Sequence, residues 1–94
     1  MLAEMIREEL DDAAKYAKMA VQYKETNRRL GEMFYNLSRQ ELEHANLEHE
    51  QAVQTIRESG QKAPAAMQAV WDWEHESQIE ETAKIRQLLE MFKQ

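Results

Sequence analysis

The residues Glu41-Leu42-Glu43-His44 have the types and spacing to hold a metal ion. Three-residue spacing puts Glu41 and His44 on adjacent turns of one helix face. One carboxylate oxygen and one imidazole nitrogen can then grip a cation from a rigid segment. Glu-x-x-His alone is a weak signal, because short Glu/His pairs arise often in charged helices. It gains weight from Glu9, Glu41 and Glu48, which sit where apolar residues belong. Burying an unpaired carboxylate costs several kcal/mol. A small domain with roughly 5–15 kcal/mol of net stability cannot absorb several such costs. The nearby bases Lys15, Lys18 and Arg39 fall mostly off the apolar stripes, so a divalent metal is the economical compensation. Carboxylates with a minority of imidazole and no thiolate suit iron or manganese better than a structural zinc.

Three helices must position these groups. Residues 2–25 repeat apolar side chains at helical spacing, with Leu2, Met5, Ile6, Ala13, Tyr16, Ala20 and Tyr23 on one stripe and Glu9 in its middle. The pattern breaks at Thr26 and Asn27, either of which can cap a second helix over residues 28–58. Gly31 falls in its first turns. Its stripe is Leu30, Phe34, Leu37, Ala45, Ala52 and Ile56, interrupted by Glu41 and Glu48, and Ser59-Gly60 ends it. Gln61-Lys62-Ala63-Pro64 makes a short connection. Pro64 or the following alanines open a third helix that runs to residue 92. Its stripe holds Met67, Val70, Trp71, Ile85, Leu88, Leu89 and Phe92, with Glu74, Gln78 and Glu81 between them.

The run from Glu9 through Ala13, Tyr16, Ala17 and Ala20, followed by Phe34-Tyr35-Asn36-Leu37-Ser38-Arg39-Gln40-Glu41-Leu42-Glu43-His44, resembles rubrerythrin and ferritin-like proteins. That family has Glu, then Ala, then Tyr on its first ligand helix. Its second helix has an aromatic residue two turns before Glu-x-x-His. The likeness spans residues 4–58. It implies an all-α, ferritin-like fold and a carboxylate-bridged di-iron site. Glu9, Glu41 and His44 take the ligand roles, and Tyr16 is a hydrogen-bond partner behind them.

A full ferritin-like chain carries four helices and two Glu-x-x-His copies, whereas this one has three helices and one copy. Two arrangements complete the site. In one, a long antiparallel helical hairpin plus third helix pairs with a second copy, so that dimerisation completes the four-helix bundle and Glu9, Glu41 and His44 are contributed twice. Encapsulated ferritins, which this chain resembles in size and half-site content, work that way. In the other, Glu74, with His75 or Glu81, supplies ligands within one chain. The symmetric half-site is preferred because it needs no further coincidence.

Other residues read more plainly. Glu48 reads as solvated rather than as an extra ligand or a carboxylate on the metal's way in. His49 reads as a surface or subunit-contact residue, and Glu74 and His75 divide evenly between ligand and structure. Trp71 and Trp73 read as packing anchors, the 6 methionines as gap-fillers, and Glu76 to Glu81 as solvated, supported by Lys84.

Composition bounds the partners. With 94 residues there is one domain, and with 2 Gly and 1 Pro there are few turns. The 18 acidic against 12 basic residues give a net charge of −6, which disfavours nucleic acid and anionic membranes and suits cations. No apolar run approaches the roughly 20 residues of a membrane span. The first residues lack the order of a signal peptide, and there is no cysteine. Cytoplasmic localisation is therefore the expectation. The reading is an iron-binding protein, two ions per site with manganese the alternative metal, and ferroxidase-like if active. It would oxidise Fe(II) with oxygen or peroxide, for storage or detoxification, as a homodimer or higher homo-oligomer. The alternative is a metal-free helical oligomerisation or interaction module. An oxygenase or peroxidase on the same scaffold lacks a substrate pocket in the sequence.

Overall fold

A computed structural model describes residues 2–59 and 65–94, with side chains over 4–55, 58 and 72–94. The expected helix stop at Ser59-Gly60, the 61–64 connection and the stripe residues Leu2, Ile56, Met67, Val70 and Trp71 bear on positions outside the described backbone or side chains. Three helices are present: α1 (Leu2–Tyr23), α2 (Arg28–Ser59) and α3 (Ala65–Lys93). Among the described residues there is no strand, and no helix is long and apolar enough to cross a membrane.

Between α1 and α2 the chain reverses in four residues. The Asn27 amide donates to the Tyr23 carbonyl at 2.9 Å, ending α1. The Asn27 side chain then caps α2, its Oδ1 accepting from the Leu30 amide at 3.2 Å. That satisfies one of the amides a helix start leaves unpaired. Of the two caps the sequence offered, Asn27 is the one used. The Lys24 ammonium reaches across to donate to the Met91 carbonyl at 3.0 Å, a cation at the C-terminal end of α3 where the helix dipole favours it.

The hairpin closes on a seam of small residues. On α2 the buried positions are Gly31, Ser38, Ala45 and Ala52, seven apart. Facing them on α1 are Ala13, Ala17 and Ala20, all fully buried. Two contacts set the register. A Cβ on Gly31 would lie 3.1 Å from the Ala20 carbonyl oxygen, and the buried Ser38 hydroxyl donates to the Ala13 carbonyl at 2.7 Å. Seven steps along α2 match seven steps back along α1, so the helices run antiparallel. Continuing that register sets Glu9 level with Leu42, one residue from Glu41 and two from His44.

α3 covers one side of this hairpin and packs chiefly on α1, touching α2 only lightly. The core joins Ile6, Leu10, Ala13, Ala14 and Ala17 of α1 to Ala45 of α2 and to Ile85 and Leu89 of α3. Phe92 closes the turn end, with Arg28 over its ring at 4.5 Å and Tyr35 stacked 5.1 Å away. The predicted stripes hold where they meet α3 or the seam. Met5, on the α1 stripe, is instead 48% exposed, on the side α3 leaves uncovered.

Candidate metal centre

That uncovered side carries the acids. Glu9, Glu41 and His44 each bring one ligand atom to within 4.8 Å of the other two. Their placement follows from helix phase. Leu42, Asn46 and His49 line a groove against α3, and at about 100° per residue Glu41, His44 and Glu48 are turned roughly 120° from that line. On α1, Glu9 is turned away from Leu10 in the same sense. The three sequence-assigned ligands therefore meet on the hairpin face opposite α3, with both glutamates half-buried and the histidine exposed.

The electrostatics are those of a site lacking positive charge. Oε2 of Glu9 and Oε2 of Glu48 are shut off from solvent, and among the described residues no amide, hydroxyl or cationic donor serves either. Glu9 is pushed up to about 7, first by desolvation, then by Glu48 through hydrogen bonding and charge, then by Glu41, with His44 opposing. Glu9 therefore keeps its proton up to near neutral pH, because burial and the neighbouring acids make its ionised form costly. A divalent cation would remove that strain more completely than one proton, since it compensates two negative charges and takes up the buried oxygens as ligands. The donor set thus fits a hard or borderline metal such as iron or manganese. Here the sequence reading of Glu48 as solvated is corrected. Glu48 is half-buried and belongs to the cluster, brought there by its seven-residue spacing from Glu41, which returns it to the same face two turns on.

Glu74 stands elsewhere. Its Oε1 faces Arg7 Nη2 at 3.6 Å, and it is not among the converging ligand atoms. Arg7 is two residues before Glu9, about 200° around α1, so a side chain reaching it from α3 cannot also reach Glu9. Tyr16 is two turns from Glu9 and lies against Phe34, ring centroids 6.0 Å apart, with Tyr23 on the same Phe34 at 6.1 Å. These rings, with half-buried Met19 and Leu37, make an aromatic and apolar strip running from the acids toward the hairpin turn.

His49, expected at a surface or subunit contact, lies on the groove between the hairpin and α3. It is half-buried, with its ring 4.5 Å from that of His75 on α3. Desolvation lowers its pKa, helped by His75 and opposed by Glu50. Only the placement of α3 brings these two rings together, and 26 positions of sequence separation gave no hint of it.

Compared with known proteins, the chain matches no family model, no curated protein and no solved structure.

Proposed function

We propose that this chain is an iron-binding, ferritin-like protein whose di-metal site is completed by a second copy of itself. The observation that carries the reading is the convergence of Glu9, Glu41 and His44 within 4.8 Å, beside buried carboxylate oxygens. One chain offers three ligand residues and Glu48, too few to hold two ions bridged by carboxylates. Two chains meeting across the open face would double the set to at least four carboxylates and two imidazoles, the ligand pattern of di-iron helical bundles. The same face exposes or half-exposes Met5, Tyr16, Met19, Phe34 and Leu37, apolar surface that pairing would cover. It would also convert the α1–α2 hairpin into half of a four-helix bundle.

In this reading Fe(II) is substrate. Two Fe(II) each give up one electron, and dioxygen takes both with two protons to leave as hydrogen peroxide. With peroxide as oxidant, the same two electrons and two protons yield two waters. The chain's own contribution is to hold both ions with ligand positions left open and to keep His44 oriented. The proton held by Glu9 leaves when iron arrives. The net charge of −6 favours cation approach.

The test is Fe(II) oxidation in air, followed by absorbance, for the native chain and for the Glu41→Ala/His44→Ala variant, with sizing before and after metal. The native chain should oxidise Fe(II) well above the buffer rate and shift to a dimer or larger species, and the variant should fall to the buffer rate. Equal rates would remove the ferroxidase reading. A dimer that forms identically with and without metal, and in the variant, would favour the alternative of a metal-free helical interaction module, for which the exposed Leu47 and Met33 are the supporting surface.

A further inference from the structure

The side of α2 away from the acids brings two histidines together against α3. A groove of about 400 Å³ runs between the hairpin and α3. Its floor is apolar, formed by Ile6, Leu10, Leu42 and Ala45, and its polar wall includes Asn46 and His49 of α2 and His75 and Gln78 of α3. We propose that His49 and His75 form a metal site of their own, taking a borderline transition cation such as Zn(II) or Cu(II) and tying α3 to α2.

Three features lead to this. The two imidazoles come from different long helices and approach to 4.5 Å between centroids, tilted by 57° rather than stacked flat. Metal–nitrogen bonds of about 2.0–2.1 Å place two imidazole nitrogens on one ion roughly 3.3 Å apart, a separation that tilted rings at this distance reach by small side-chain rotations. Both histidines are half-buried on the wall of an open groove, so the ion has access while its remaining positions face water, with the Asn46 and Gln78 amides close by. Finally, α3 is held mainly by α1 and touches α2 lightly, so a cross-link at this point adds a connection that packing supplies only weakly. Imidazole-only protein ligation selects differently from the carboxylate cluster. Nitrogen donors suit copper and zinc, and oxygen donors suit iron(II) or manganese less selectively. The two sites would therefore sort metals by chemistry as well as by position.

The chain has 3 histidines, which makes the test clean. A Glu41→Gln/His44→Asn background removes the only histidine of the acidic cluster, leaving His49 and His75 as the sole imidazoles. Cu(II) added to that protein should give an electron paramagnetic resonance spectrum with coupling to two imidazole nitrogens, at one copper per chain. Zn(II) should raise its melting temperature. Adding His75→Asn should reduce the coupling to one nitrogen, weaken copper binding by about tenfold or more and abolish the zinc-dependent shift. Circular dichroism of the metal-free variants verifies that they fold, and His49→Asn provides the same test should the first not fold. Copper coupling and a zinc shift that survive His75→Asn and His49→Asn unchanged, or an absence of imidazole coupling in the parent background, would overturn the proposal. Because the test is made without Glu41 and His44, its outcome is independent of the iron reading.

Discussion

The two faces of the α1–α2 hairpin are built from the same helices and solve opposite problems. On the face under α3, Ile6 and Leu10 meet Ile85 and Leu89, and every one is at most 6% exposed. On the other face, at the same level of the hairpin, stand Glu9, Glu41, His44 and Glu48, with two carboxylate oxygens buried. The first face is complete within one chain. The second has given up apolar burial without gaining an amide, hydroxyl or cationic donor among the described residues, and Glu9 is pushed toward its protonated form as a result.

Equal truncations on the two faces should therefore have unequal effects. Ile85→Ala removes a side chain with no exposure and should cost about 2–5 kcal/mol in chemical denaturation. Leu47→Ala, 62% exposed on the hairpin's outer surface, should change monomer stability by no more than about 0.5 kcal/mol. A comparable loss at both positions in dilute, metal-free protein would break the contrast. Between the faces, Ser38→Ala deletes the buried hydroxyl that bonds the Ala13 carbonyl and should cost about 1 kcal/mol by the same measurement.

The third prediction concerns pH. Glu9 is raised from 4.5 to about 7 in the folded chain, so the native state binds more protons than the unfolded state between those values. Stability of the metal-free protein should then fall as pH rises from about 4.5 through about 7, a trend opposite to that of a salt-bridged carboxylate. Glu9→Gln, or saturating metal, should flatten the dependence in melting curves recorded from pH 4.5 to 8. A native profile that rises across that range would contradict the strained acid pair. The smallest effect is expected from Arg7→Ala, which removes the 3.6 Å contact with Glu74 on the α3 side. Pairs between such accessible groups contribute about 0–1 kcal/mol, and the Glu9/Glu41/His44 group should keep its geometry because Glu74 lies apart from it.

Much of the fold and half of the candidate site could be read before any coordinates. The three helices, their ends near Tyr23 and Asn27, and the Glu41/His44 pair follow from periodicity, a capping residue and local spacing, all of which act within a few turns, while Glu9 joins that pair only through its core-facing position and the family resemblance. What periodicity misjudged were properties of the third dimension. Of the seam residues, Ala45 and Ala52 lie on the expected stripe, but Gly31 and Ser38 do not, because a hydrophobicity pattern gives weight to size and apolarity; Leu30 and Phe34 therefore looked more central than they are. Glu48 looked solvated because its burial depends on the neighbouring helix. Glu74 divided evenly between ligand and structure because sequence does not say on which side of the hairpin α3 lies. His49 and His75 meet across that same boundary.

The Gly31 seam has a reach beyond packing. At Gly31 the α1 backbone is so near that any added carbon would press on the Ala20 carbonyl and on Phe92. With no room to slide or roll, the two helices act as a fixed ruler, and the acids about three turns away inherit their spacing from it. The spacing of Glu9 from Glu41 and His44 should consequently respond to mutations at the hairpin's tight end, far from all three side chains.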